Sequence, residues 1–235
     1  MHNAKIAVID AGLMGHGIAQ VFALAGHDVT ITDSFAQNLD TAKSRIAANL
    51  RDRGEDESAV ENVRARADLA GAVRDADYVI EAVLEDLQLK QKLFAEIERH
   101  VRPDTILASN TSVIPITAIM QGLAGRERAL GTHWWNPPFL VPLVEVIETE
   151  WTSPEVIAWT MKLHEAAGKT PAHVKKDVPG SSAIACSMRS GARRFRWSSK
   201  ASAMRKRWTR WSRPRSAAAC RSWARWKMPI WSAPI

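Results

Sequence analysis

"KIAVIDAGLMGHGIAQ", residues 5–20, decides the fold. An apolar run from Lys5 to Asp10 stops at a glycine-containing turn, and apolar residues at helical spacing follow as far as Gly26. The β-branched, alternating "DVTITD" (28–33) then predicts a second strand. A strand, a glycine turn, a helix and a strand ending in an acidic residue suit a pyrophosphate, because backbone N–H groups at a helix start can approach it closely. Gly12, Leu13, Met14 and Gly15 form that turn. Gly12 lets the backbone come near, and Gly15 lets the helix pack on the strand. Asp33, 21 residues after Gly12, is placed to accept hydrogen bonds from the adenosine ribose and to repel a 2′-phosphate, which favours NAD over NADP. The plainer alternative is an ordinary strand–turn–helix with packing glycines. One position departs from the pattern: Asp10 stands where the tight turn has its first glycine, and its carboxylate is expected near the phosphates, weakening NAD binding.

Outward from this unit, helix-length and strand-length patterns alternate. An amphipathic stretch from Gln37 to Arg53 precedes the polar loop "RGEDES" (53–58). Strands are expected over 76–83, 105–110, 128–134, 143–149 and 171–176, with helices over 87–100, 115–122 and 154–168. Such alternation predicts an α/β fold, a doubly wound, mostly parallel Rossmann-type sheet occupying residues 1–180.

Composition breaks at Gly180. The formal net charge of +7 conceals a tail, 181–235, that holds 14 Lys and Arg and no Asp or Glu, leaving 18 basic against 25 acidic residues before it. The tail also holds both cysteines and six of the ten Trp, but no Leu or Val. No signal peptide is read at the start, no apolar run reaches membrane length, and two cysteines make no disulfide framework. A cytoplasmic protein with no metal site is expected.

Three stretches carry chemistry: "ASNTSV" (108–113), "GTHWWNPPFLVPLVEVI" (131–147) and "KKDVPG" (175–180). Across residues 4–180 the sequence resembles the 3-hydroxyacyl-CoA dehydrogenase family, which includes lambda-crystallin-like and carnitine dehydrogenases. The shared motifs are S-N-T-S, H-x-x-N-P, L-V-E-V and K-D-x-P-G. The resemblance implies that Ser112 contacts the substrate oxygen, His133 is the general base and Glu145 orients it. It places Glu85, Lys90 and Asn136 around the nicotinamide half of NAD. The chemistry suits these types. Oxidising a secondary alcohol needs a base titrating near neutrality, and histidine supplies one. A carboxylate beside it fixes the tautomer and stabilises the imidazolium. Taken singly, each has a plainer reading: a packed core histidine, a solvated strand glutamate, a helix-capping serine.

The implied substrate is an acyl-CoA. The bulky Trp134–Trp135 pair and the acidic 53–58 loop, where a CoA phosphate would want lysines, keep a smaller 3-hydroxy acid or a carnitine-like alcohol as an alternative. The family next expects P-G-F-I-x-N-R, whose Asn binds the substrate carbonyl, and then an all-helical domain forming the dimer interface. This chain continues "PGSSAIACSMRSGARRF". If one nucleotide is missing after the Gly180 codon, the single codons of Trp and Met force outcomes. Trp223–Ala224 gives Gly, Trp226–Lys227 gives Glu, Met228–Pro229 gives Ala, and Trp208–Thr209 gives Asp. With permitted synonymous codons the Asn falls at Ile184, and 224–235 follow the helical domain's G-P-x-E-x-x-D-x-V-G-x-D pattern. The tail is therefore expected to be out of frame, poorly packed and partly disordered, with the dimer interface lost and turnover impaired. Its Arg and Trp could instead bind nucleic acid, but no specific nucleic-acid partner is expected.

Overall fold

A computed structural model of the chain describes residues 3–178. The expectations for 181–235 lie outside the described residues. The elements are β1 (Lys5–Ile9), α1 (Leu13–Leu24), β2 (Asp28–Thr32), α2 (Ala36–Arg53), β3 (Val63–Ala65), α3 (Leu69–Val73), β4 (Tyr78–Glu81) and α4 (Leu87–Glu98). They continue as β5 (Ile106–Ser109), α5 (Ile116–Met120), β6 (Ala129–Trp134), β7 (Leu143–Ile147), α6 (Pro154–Ala166) and β8 (Thr170–Val174). The strands form one sheet in the order β3-β2-β1-β4-β5-β6-β7-β8. Every pairing is parallel except β6 with β7. This is the mostly parallel, doubly wound sheet that the alternation predicts.

Side-chain alternation along β1 builds two core layers. Ile6 and Val8 pack with Ile18 and Phe22 of α1, Leu39, Ile46 and Leu50 of α2, and Leu163 of α6. Ala7 and Ile9 pack with Val73 of α3, Phe94 and Ile97 of α4, and Ile119 and Met120 of α5. A strand buried on both faces has no polar side, which is why "IAVI" is unbroken. Helix ends are signalled locally. Asp86 caps α4 by accepting from the Leu89 amide at 2.8 Å. Ser153 caps α6 with Pro154 at its first turn. Gly54, at φ +65°, ends α2. Pro171 is tolerated in β8 because that strand lies at the sheet edge, where a missing N–H breaks no ladder.

Two elements were not expected. The three-residue edge strand β3 and the five-residue α3 occupy the stretch between Asn62 and Ala76. Both are too short to show a period, and tertiary contact rather than pattern makes them.

One core group makes stability depend on pH. His164 is fully buried, its ring 5.7 Å from that of Phe22 and 5.2 Å from that of Trp134. Burial pushes its pKa down to about 4, against a weaker upward pull from its bond to the Thr160 carbonyl. The folded state thus keeps it neutral while the unfolded chain protonates it below about 6.5. Its contribution is present above pH 6.5 and is lost as pH falls to 4. In urea melts the His164→Phe variant is expected to lack a loss on the order of 3 kcal/mol across that window. Equal slopes for the two proteins would contradict this.

Candidate active site

The chain leaves β1 toward β2 and β3, then returns to place β4 on the other side of β1. That reversal opens a crevice beyond the carboxyl ends of the strands, where such sheets bind ligands. Register aligns what lies there. Ile9 pairs with Glu81, Glu81 with Ser109, and Ser109 with Gly131. Asp10, Ala82, Asn110 and the Thr132–His133 pair therefore lie just past a common line. Three strand spacings separate β1 from β6, about 14 Å, so the glycine turn and His133 are within one extended ligand of each other.

The turn closes tightly. A Cβ on Gly15 would meet the Asp10 carbonyl at 1.7 Å, so α1 can start there only with glycine. Asp10 adopts φ +84°, the left-handed region, which costs a non-glycine residue roughly 1 kcal/mol. Its Oδ2 accepts the Gly12 amide at 3.0 Å. Asp33, buried at the end of β2, accepts from the Ala11 amide at 2.8 Å, the Phe35 amide at 2.7 Å and Asn38 Nδ2 at 3.1 Å. Leu13 and Met14 open α1, with Leu13 66% exposed at the mouth. From α2, Arg45 donates to the carbonyls of Ala11 at 2.5 Å and Asn38 at 2.9 Å, bracing the turn from outside.

On the far side, His133 and Glu145 are direct partners of the antiparallel β6–β7 ladder. His133 Nδ1 lies 2.9 Å from Glu145 Oε2, and both side chains are buried. This hydrogen bond directs Nε2 away from the carboxylate. Trp135 packs on the imidazole, ring centres 5.5 Å apart.

The loop bearing Ser112 is held from β4's side. Glu85 Oε1 accepts from Thr111 Oγ1 at 2.5 Å and from the amides of Ser112 at 2.8 Å and Val113 at 2.9 Å. Burial resists its ionisation, but the bonds from Thr111, Val113 and Ser112 and the Lys90 charge outweigh that and hold its carboxyl below the usual range. Lys90 lies deeper than the resemblance implies. Its ammonium donates to both oxygens of buried Glu81 at 2.9 Å, and lies 3.3 Å from the Val83 carbonyl and 3.5 Å from Glu85 Oε2. It is fully buried, and its charge is met by these two carboxylates. Asn136 is exposed, at a cis bond to Pro137 just after β6.

Three positioning residues escaped the sequence. Asn110 accepts the Trp134 amide at 2.8 Å, tying the Ser112 loop to the strand end carrying His133. Glu81 binds Ser109 Oγ as well as Lys90. Lys169 donates to the carbonyls of Pro138 and Val141 and lies 5.3 Å from the Trp134 ring centre, pinning the loop after Asn136. The S-N-T-S spacing flagged Asn110's neighbourhood, but nothing local marks the other two.

A glycine turn stands at the sheet reversal, and a buried His–Glu pair lies three strands away beyond the same sheet edge. The chain belongs to the family described as 3-hydroxyacyl-CoA dehydrogenase, NAD binding domain, whose model matches residues 5–178. It is 40% identical over 182 residues to a probable 3-hydroxybutyryl-CoA dehydrogenase of Deinococcus radiodurans, covering 75% of this chain and 65% of that one. It is 38% identical over 181 residues to 5-formyl-3-hydroxy-2-methylpyridine 4-carboxylate 5-dehydrogenase of Mesorhizobium japonicum, covering 75% and 59%. The solved 3-hydroxybutyryl-CoA dehydrogenase of Escherichia coli superposes with a TM-score of 0.70 at 36% identity, covering 74% and 38%. The chain thus spans under two thirds of each of these relatives.

NAD fits the residues present with one exception. Gly15, the Ala11–Met14 turn at the start of α1 and the buried Asp33 form a cradle that a Cβ would fill, whereas Asp10 puts a carboxylate in it. Among the described residues no cluster of His, Cys, Asp or Glu could hold a metal, and no helix is long and apolar enough to cross a membrane.

Proposed function

We propose that the protein is an NAD-dependent oxidoreductase acting on the 3-hydroxyl of a 3-hydroxyacyl-CoA. The observation that carries this is the buried His133–Glu145 pair, 2.9 Å apart at the carboxyl edge that also carries the glycine turn. NAD, when bound, supplies the hydride acceptor. Gly12 to Gly15 and Asp33 would hold it, with Asn136 toward its nicotinamide end. His133 Nε2 takes the hydroxyl proton while Glu145 at Nδ1 fixes the tautomer and offsets the charge that develops. Ser112, its amide anchored by Glu85, holds the reacting oxygen in line. Its hydroxyl has no hydrogen-bond partner among the described residues and is available for that oxygen. Trp135 against His133 favours a second reading, a compact 3-hydroxy acid.

Turnover by this chain is slow on this reading, because the segment after Gly180 lacks the carbonyl-binding Asn. The test follows NADH formation from NAD+ with (S)-3-hydroxybutyryl-CoA, free 3-hydroxybutyrate and carnitine. Inserting one nucleotide after the Gly180 codon is expected to raise oxidation of the thioester by about 10²–10³-fold, the usual effect of one positioned hydrogen-bond donor on a substrate oxygen. A repaired chain that oxidises only the free acid moves the reading to the smaller substrate. One that oxidises none of the three overturns it.

A further inference from the structure

The second glycine of a dinucleotide turn leaves room for a pyrophosphate to reach its amide. Here that room is taken. A Cβ added at Gly12 would meet Asp10 Oδ2 at 2.8 Å, and the Gly12 amide already donates to the same oxygen at 3.0 Å. The carboxylate is no accident of rotamer. Asp10 is fixed at φ +84°, its amide donates to the Thr32 carbonyl at 2.9 Å, and the Gly12 bond closes a short ring back onto the turn. An anion of this protein's own therefore sits where a ligand's anion would sit.

We propose that Asp10 is an internal competitor for the pyrophosphate seat, so that dinucleotide binding takes up one proton at Asp10 or displaces its carboxylate from the Gly12 amide. This rests on the turn being the NAD site. The surroundings favour the proton. Asp33 faces Asp10 from the end of β2 and Glu81 from the end of β4, both anionic neighbours, with Lys90 answering Glu81 from α4. Arg45 of α2 is the cation on its side, but its guanidinium is engaged by the Ala11 and Asn38 carbonyls. His16 of α1 sits on the Gly12 carbonyl at 2.6 Å. Burial, reinforced by Asp33 and Glu81 and opposed by the Gly12 amide and Arg45, pushes the Asp10 carboxyl up to about 6. The pyrophosphate, with one negative charge on each phosphate, raises it further on arriving at the seat, so the bound state holds the proton over a wider range of pH than the free state.

Calorimetric titration of the full chain with NAD+, in buffers of differing ionisation enthalpy, counts protons directly. At pH 7.5 the wild type is expected to take up close to one proton per NAD+, with affinity falling up to about tenfold per pH unit above 6. Asp10→Gly, which suits the positive φ, is expected to bind about 10²-fold more tightly at pH 8 with no uptake. Asp10→Asn keeps the bulk without the charge and is expected to lose the pH dependence. Uptake that persists in Asp10→Asn would assign the proton to His16 and overturn the proposal. Equal, pH-independent binding by wild type and Asp10→Gly overturns it while leaving the NAD site intact. Binding by neither removes the NAD site, and the proposal with it.

Discussion

In the chain carrying one inserted nucleotide after the Gly180 codon, His133→Asn is expected to slow oxidation of the 3-hydroxyl by about 10²–10⁴-fold, the range for loss of a positioned general base. Asparagine is smaller but keeps a planar polar group with a hydrogen-bond donor toward Glu145, so the loss reports proton transfer rather than collapse of the strand pair. The expected signature is a fall in kcat with little change in the affinity for NAD+. Glu145→Gln is expected to fall between wild type and His133→Asn, because an amide still fills the position but offsets no charge on the ring. A His133→Asn enzyme within threefold of wild type would mean that the pair is only a core contact, the plainer reading of a histidine flanked by tryptophans.

Lys90→Met alone is expected to destabilise the fold by about 3–5 kcal/mol, the usual result of stranding one member of a buried ion pair. Glu81 would keep its carboxylate in the sheet, with side chains of both partners at most 1% exposed, and only the Ser109 hydroxyl and the Val83 amide to answer it. Removing both charges, Glu81→Leu with Lys90→Met, should recover most of that loss, since the pair's mutual attraction mainly offsets its own desolvation. Urea unfolding of the two single variants and the double variant reads the coupling. Additive losses would show that the pair is not a unit. A stable double variant that no longer binds NAD+ would show what the pair is kept for: it holds Glu85, and through Glu85 the Ser112 loop, at the crevice.

These two experiments fall on opposite sides of what sequence can disclose. The His133–Glu145 contact and the place of Asp33 against the glycine turn were legible because motif order and spacing marked those residues, and β1 to β2 because apolar runs and a glycine turn are local signals. The strand around Glu145 illustrates the limit of the plainer reading: its alternation permits a solvated face, but every residue from Val144 to Ile147 is buried, so β7 has none. Glu81 was invisible as a partner because nothing near it distinguishes a buried carboxylate from an exposed one until α4 brings Lys90 over the same strand. Lys169 was missed for the same reason, since it reaches backbone carbonyls more than twenty residues away. The edge strand β3 has only three residues, fewer than any periodicity needs. Asp10 was the reverse case, a local departure whose geometry the turn then made specific.

The single reversal of direction in the sheet, between β6 and β7, has a consequence for how this site tolerates change. Base and carboxylate sit opposite each other on rungs of one ladder, so their separation is governed by backbone pitch and not by the reach of two flexible arms. Residues 135–142 between those rungs can shift without changing that separation, yet a slip of one rung would turn Glu145 to the other face and silence the imidazole in a single step.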